Sequence, residues 1–340
     1  MKDVYILAVE TSCDETSIAI VKNGREDVAT TVLSQMDVHS NFGGVVPEIA
    51  SRMHTENITM VLEETLSKAK MTVDQMDAIA VTYAPGLMGS LIVGVEFAKT
   101  LAFVHQKPLI KVHHIAGHIY ANNLVKPLRF PLLALIVSGG HTDIIIMQGD
   151  YKFKLLGSTL DDAIGETYDK VARVLGLPYP GGPNVERMAL LGTPTYDLPV
   201  PMNDGTYNFS YSGLKSAVVN LVNKEKQKGQ TVNNENLAAS FQKAAVAQLI
   251  NKTEQAIKKF QVRNMIIAGG VSANNYLREE ITKLTTSKGI DLTIPPIEYC
   301  TDNATMIGCA AYPLLLKKEF ERYTLNPKSH DDFFETYKAE

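Results

Sequence analysis

Leu132-Leu133-Ala134-Leu135-Ile136-Val137-Ser138, then Gly139-Gly140-His141-Thr142, then Asp143-Ile144-Ile145-Ile146-Met147: an apolar run closed by a serine, a glycine turn, and a second apolar run opened by an aspartate. Short apolar runs bounded by turn residues read as buried strands. The stretch therefore predicts a hairpin that turns at its glycines. The N-terminus repeats the arrangement crudely. Tyr5–Glu10 and Ile18–Val21 are apolar runs joined by the polar turn Thr11-Ser12-Cys13-Asp14-Glu15-Thr16. Val9-Glu10-Thr11-Ser12-Cys13-Asp14 matches Val137-Ser138-Gly139-Gly140-His141-Thr142 in position. Two halves, each opened by such a hairpin, predict an α/β chain of two lobes.

Working outward, a third strand is expected over 29–35 and a helix over 47–70. That helix carries Ile49, Met53, Ile58, Val61, Leu62 and Leu66 as one apolar stripe. A strand over 77–83 stops at Ala84-Pro85-Gly86. A helix over 89–104 and a short strand over 109–112 follow. In the second half helices are expected over 160–175, 185–191, 214–225 and 237–260, and a buried strand over 265–268. A helix from Asn275, a strand over 290–294 and a closing helix over 301–320 complete the chain. The expected lobes are residues 1–130 and 131–300, with a closing helix within 301–325 packing back on the first.

The 340 residues are about two domains long. A 45% hydrophobic and 21% charged composition suits a globular protein with a large core. No run of 18 uncharged apolar residues occurs, so no membrane span is expected. The N-terminal apolar run is short and meets acidic residues at once, so it reads as a strand, not a signal peptide. Three cysteines (Cys13, Cys300, Cys309) without a Cys-x-x-Cys pair argue against disulfide frameworks and cysteine-only zinc sites. The cytoplasm is the expected compartment. A net charge of −4 argues against bulk nucleic-acid coating and leaves room for a local basic patch.

The chemistry sits in a few segments. In Val112-His113-His114-Ile115-Ala116-Gly117-His118, His114 and His118 are four residues apart. On a helix both imidazoles leave one face, where they can grip one divalent metal. The bland alternative is a pair of core or solvated histidines at a helix start. Position 115 is Ile, where a zinc-protease helix places its general-base Glu. A third ligand can come from Asp302, in Tyr299-Cys300-Thr301-Asp302-Asn303, which equally can cap the helix that follows.

Ser138-Gly139-Gly140 and Ala268-Gly269-Gly270-Val271-Ser272-Ala273-Asn274 are glycine junctions whose backbone N–H groups can approach an anionic ligand closely. Asn274 offers a donor and an acceptor to a purine or ribose. Neither junction has the spacing of a dinucleotide fold or the Lys of a P-loop. Asp162, Glu166 and Asp169 fall on one helical face before Pro180-Gly181-Gly182-Pro183, and Glu186 lies just beyond it. They form either a solvated acidic face or a grip on ribose hydroxyls, for which Asp169 is best placed. Asp14 and Glu15, in the first turn, either are solvated or bind metal and accept a proton.

Together these segments resemble the universal TsaD/Kae/YgjD family, the tRNA adenosine threonylcarbamoyltransferases once labelled O-sialoglycoprotein endopeptidases. The resemblance spans the chain. Besides the segments above it rests on Gly44-Val45-Val46-Pro47-Glu48-Ile49-Ala50-Ser51-Arg52-Met53-His54, on Ala84-Pro85-Gly86-Leu87, on Lys99-Thr100 with Pro108, and on Phe209-Ser210-Tyr211-Ser212-Gly213-Leu214-Lys215. The length and the Asp14-Glu15 pair are of the bacterial type.

The resemblance implies an actin-like (ASKHA, RNase H-like) two-lobe α/β fold with a nucleotide cleft between the lobes. It implies transfer of threonylcarbamoyl from threonylcarbamoyl-AMP to the N6 amine of the adenosine 3′ of the anticodon, in tRNAs reading codons that begin with A. It implies one divalent metal ion, iron or zinc, on His114, His118 and Asp302. Ile136, Val137, Ser138, Gly139, Gly140, Asp169, Gly182, Glu186 and Asn274 would hold the adenylate. The implied partners are tRNA, a TsaB-type paralogue and a TsaE-type P-loop ATPase. The helix over 47–70 is the expected contact for the paralogue. Lys258-Lys259 and Lys317-Lys318 are candidate phosphate contacts, although paired lysines are ordinary on solvated helix faces. The competing readings are an actin-like ATPase, which has no need of the histidine pair, and a metallopeptidase, which lacks its base.

Overall fold

The computed structural model describes residues 2–200 and 204–339. In chain order the elements are strands β1 (Tyr5–Glu10), β2 (Glu15–Lys22) and β3 (Glu26–Ser34), helices α1 (Met36–Ser40) and α2 (Pro47–Ala69), β4 (Ala78–Ala84), α3 (Met88–Val104), β5 (Leu109–His113) and α4 (His114–Tyr120). Then come β6 (Leu132–Val137), β7 (Thr142–Gly149), β8 (Lys152–Ser158), α5 (Ile164–Val174), α6 (Gly181–Ala189), α7 (Ser212–Gln227) and α8 (Asn234–Phe260). The chain closes with β9 (Asn264–Ala268), α9 (Asn275–Lys288), β10 (Asp291–Thr293), α10 (Ala304–Lys317) and α11 (Phe333–Thr336).

Two compact units result. One joins the chain up to Leu128 with Pro295–Lys338, and the other is Arg129–Ile294. Each holds a five-stranded mixed sheet, ordered β3-β2-β1-β4-β5 in the first and β10-β9-β6-β7-β8 in the second. The expected hairpins lead both: β1 runs antiparallel to β2 with Glu10 opposite Ser17, and β6 antiparallel to β7 with Val137 opposite Thr142. Parallel partners β4 and β9 then lie beside β1 and β6. All six residues of β6 are buried, as a strand covered on both faces requires.

In the first unit Leu7, Val9, Ile18, Ile20, Ile79 and Val81 pack with Ile58, Val61 and Leu62 of α2 and Val95 and Ala98 of α3. So the core of the α2 stripe is spent inside its own unit, while Ile49 and Met53 stay half-buried and Met60 lies exposed. α10 packs on α4, β1 and β2. Gly117 makes this close approach of α4 possible: a Cβ there would stand 2.8 Å from Ile307 Cδ1.

Three expectations need correction. The helix expected over 160–175 begins only at Ile164. Asp161 is held instead at the start of α7, accepting from the backbone N–H of Tyr211 (2.7 Å) and the hydroxyl of Ser212 (2.5 Å). Asp162 therefore does not share a helical face with Glu166 and Asp169; it pairs with Lys170 and Lys215, both at 2.7 Å. Finally, β8 was not expected: Lys152 and Lys154 face solvent around the buried Phe153, and the polar half hides the strand.

Candidate functional site

β5 delivers the histidines. It ends at His113, which is buried and caps α4 by accepting from the N–H of Ile115 (3.2 Å). α4 starts at His114, so His114 and His118 leave one face, one turn apart. Their rings meet edge to face with centroids 4.6 Å apart, and the two Nε2 atoms stand 3.1 Å apart. Asp302 arrives from the turn before α10. Its Oδ1 is 3.3 Å from His114 Nε2 and 3.2 Å from His118 Nε2.

The sequence left capping and ligation open for Asp302. Asn303 takes the cap: its side chain accepts from the N–H of Met306 at 2.9 Å and donates to the carbonyl of Thr301 at 2.7 Å. Asp302 is thereby left to the histidines. Two imidazole nitrogens and a carboxylate oxygen converge in one small volume, a donor set that suits zinc or iron. Burial opposes ionisation of Asp302, but His114 outweighs it and holds the carboxyl far below the usual range. Burial likewise opposes a charge on His114, but Asp302 and Glu10 overcome it and raise its pKa well above normal. For His118 burial prevails and the pKa falls.

Behind the histidines lies a residue to which sequence reasoning gave no role. Glu10, the last residue of β1, is fully buried, with Oε2 3.3 Å from His114 Nδ1. Burial opposes its charge, yet His114 holds its carboxyl below the usual range. A Glu closing an apolar strand reads as a boundary; the only signal was its place in the Glu10-to-Thr16 motif.

The first turn is pinned from α2 and α3. The Thr11 hydroxyl donates to the carbonyl of Ser90 (2.9 Å), and Leu87 N–H donates to the carbonyl of Ser12 (2.8 Å). His54 is kept neutral by burial; its Nδ1 accepts from the Thr16 hydroxyl (2.7 Å) and its Nε2–H donates to the carbonyl of Cys13 (2.9 Å). Asp14 is buried beside Glu15. Burial, then the charges of Asp302 and Asp14, push Glu15 up to about 9, so it carries a proton at neutral pH.

The second unit gathers the other expected residues. Ser138 to His141 form the hairpin turn, closed by Ser138 N–H donating to the carbonyl of His141 (2.9 Å). Ile136 and Val137 are buried in β6, whereas Gly139 and Gly140 are exposed, and a Cβ on either would meet nothing within 4 Å. Asp169, on α5, accepts from the N–H of Gly181 at 2.7 Å and so caps α6, where Gly182 also lies. Burial pushes its carboxyl up despite these N–H donors. Glu186 accepts from the N–H of Asn275 at 2.6 Å. Asn274 caps α9, accepting from Leu277 N–H (2.8 Å) while its amide donates to Gln242 (3.1 Å). One oxygen of each carboxylate is thus engaged at a helix start, and one N–H and one lone pair of the Asn274 amide hold the junction.

The profile of the family described as "TsaD: tRNA N6-adenosine threonylcarbamoyltransferase" matches residues 27–309. A protein of that name from Geobacillus thermodenitrificans is 54% identical over 327 residues, covering 96% of each chain. This chain belongs to the TsaD family. Family membership carries a transferase activity, not that of a peptidase or an ATPase. Solved structures with far less sequence in common share the fold. HypF from T. kodakarensis superposes with a TM-score of 0.62 at 14% identity, over 93% of this chain and 48% of its own. A ROK hexokinase from Thermus thermophilus superposes with 0.51 at 12%, over 94% and 100%. The fold is actin-like. Among the described residues no helix is long and apolar enough to cross a membrane.

Proposed function

We propose that this chain transfers the threonylcarbamoyl group of threonylcarbamoyl-AMP to the N6 amine of the adenosine 3′ of the anticodon in tRNAs reading codons that begin with A. The observation that supports this best is the His114–His118–Asp302 cluster in a chain that matches a named transferase along 96% of its length. The amine nitrogen bonds to the carbamoyl carbon, the bond from that carbon to the phosphate oxygen breaks, and AMP leaves with the electron pair. Such an anhydride is already activated, so holding two large substrates in line supplies much of the catalysis.

His114, His118 and Asp302 hold one divalent ion, iron or zinc. When bound it supplies Lewis acidity at a carbonyl or an anchor for the donor's threonyl part. Asp14 or Glu15, side by side in the first turn, takes the amine's proton, and Asp14 is the one tested first. Ile136 to Gly140 line the adenylate by backbone. Asp169 and Glu186 each offer their second oxygen to ribose hydroxyls beside Gly182, and Asn274 holds the junction in shape.

The net charge of −4 leaves tRNA to a local basic surface or to a partner. A TsaB-type paralogue and a TsaE-type P-loop ATPase are the proposed partners. The exposed Met60 of α2, with Met88 and Ile92 of α3, suits the paralogue better than the buried stripe does. The compartment is cytoplasmic.

The test is transfer of labelled threonylcarbamoyl from the adenylate to an unmodified tRNA reading an A-starting codon, with and without both partners. Covalent label on tRNA with the wild type, lost in His114→Ala, supports the proposal. Absence of transfer with the partners present, alongside nucleotide hydrolysis that survives His114→Ala, overturns it.

A further inference from the structure

Glu10 stands on the Nδ1 side of His114, whereas Asp302 faces its Nε2. Glu10 Oε2 lies 3.3 Å from His114 Nδ1 and accepts from the Thr82 hydroxyl of β4 at 2.5 Å. Its Oε1 accepts from the backbone N–H of Ser12 at 2.5 Å. The Ser12 hydroxyl is itself 3.1 Å from His114 Nδ1. His118 has no such support: its buried Nδ1 lacks a hydrogen-bond partner among the described residues. The two histidines are therefore built differently.

We infer that Glu10 is the positioning residue that fixes the tautomer of His114. An imidazole presents a lone pair at Nε2 only when its neutral proton sits on Nδ1. A carboxylate can accept that proton's hydrogen bond and can never donate to Nδ1. Ser12 can do either, so the hydroxyl alone leaves the tautomer undecided. The Thr82 hydroxyl and the Ser12 N–H hold the carboxylate in place and occupy two of its three remaining lone pairs. Carboxylates behind a ligand histidine orient the ring and raise its basicity, and removing them typically weakens metal binding by about 10- to 100-fold. The inference rests on the metal reading of His114, His118 and Asp302.

The experiment uses full-length apo protein, titrated with Zn²⁺ alone against a chromophoric chelator, with the histidine ring nitrogens followed by NMR. Glu10→Gln keeps the shape and reverses the polarity. Ser12 N–H must keep its acceptor, so the new amide NH₂ turns to His114 Nδ1, and the imidazole proton moves to Nε2, where it competes with the ion. Expected are one Zn²⁺ per wild-type chain, binding at least about tenfold weaker in Glu10→Gln, and a His114 Nδ1–H signal in the zinc-loaded wild type that is displaced in the loaded variant. Ser12→Ala should bind within about threefold of wild type, because the carboxylate still decides the tautomer.

Glu10→Gln binding within a factor of about two of wild type overturns the inference, as does Ser12→Ala weakening binding equally. If apo Glu10→Gln shows no cooperative unfolding, Glu10→Asp replaces it. That variant keeps the charge and withdraws the oxygen from Nδ1; the same loss is expected, and wild-type affinity overturns the inference. A wild type that binds no Zn²⁺ overturns the metal assignment and this inference together, whereas an unaffected Glu10 variant overturns this inference alone.

Discussion

Asn303 caps α10 and thereby leaves its neighbour Asp302 free to face His114 and His118. Adjacent residues, both good helix caps by type, divide two tasks between them. The division makes Asn303 a support of the proposed metal site, placed beside Asp302 without being one of its three residues. Asn303→Ala should cost about 1 kcal/mol of stability, the usual loss for a cap. It should also weaken Zn²⁺ binding, because Asp302 becomes the best remaining cap and turns toward the helix. Denaturant unfolding and chelator competition on the same variant measure both losses. A stability loss with unchanged zinc affinity would show that the cap and the ligand are independent.

Asp14 is one of the two residues on which the proton transfer is proposed to depend. Asp14→Asn keeps the size of a side chain that is 7% exposed and removes its capacity to accept the amine's proton. Transfer to tRNA should fall at least about 100-fold while affinity for the adenylate and for Zn²⁺ stays near wild type. Single-turnover transfer with the partners, beside equilibrium binding of the adenylate, separates the two. Undiminished transfer would remove Asp14 from the reaction.

Much of this fold could be read from local sequence because it is carried by short apolar strands with sharp ends. β1 and β6 are each bounded by residues that cannot continue a buried strand, and the glycine turn before Thr142 sets the second hairpin's register. The histidine pair was legible because helical spacing alone brings it together. What failed was long-range. Asp161 and Asp162 look helical until Ser210, Ser212 and Lys215, some fifty residues on, claim them. Glu10 acquires its role from His114, which lies 104 positions away. Contacts of that range are set by packing, and periodicity carries no record of them.

Gly181 illustrates packing that serves the second unit's candidate site. A Cβ there would lie 2.6 Å from Asp169 Cα and 2.7 Å from Ala172 Cβ. The first is backbone and cannot move without α5. Gly181→Ala should therefore push α6 off α5 and lengthen the bond from Gly181 N–H to Asp169. Overpacking of this kind costs about 1–3 kcal/mol. The neighbouring Gly182 has open space around it, so Gly182→Ala should cost less, by the same denaturant measurement. Adenylate affinity should fall in Gly181→Ala if Asp169 grips the ribose. Equal stabilities for the two variants would show that α6 can shift freely.

Asp143 gives a pH signature away from any ligand. It is the second residue of β7, is 2% exposed, and accepts from the Ser158 hydroxyl at 2.5 Å, while its Oδ2 has no partner among the described residues. Burial pushes its carboxyl up from 3.8 to about 6, against the opposing effect of Ser158. The native state therefore holds this proton more tightly than the unfolded chain does. Its contribution to stability is fully present below about pH 4 and is lost as pH rises through about 6. The loss amounts to about 3 kcal/mol, since each pKa unit is worth about 1.4 kcal/mol. Asp143→Asn has no proton to lose. The stability of the variant minus that of wild type should rise by about 3 kcal/mol between pH 4 and pH 7, whatever its value at pH 4. Urea unfolding of both proteins across that range decides it: a difference that stays flat with pH would mean that Asp143 ionises as readily in the folded protein as in the unfolded chain.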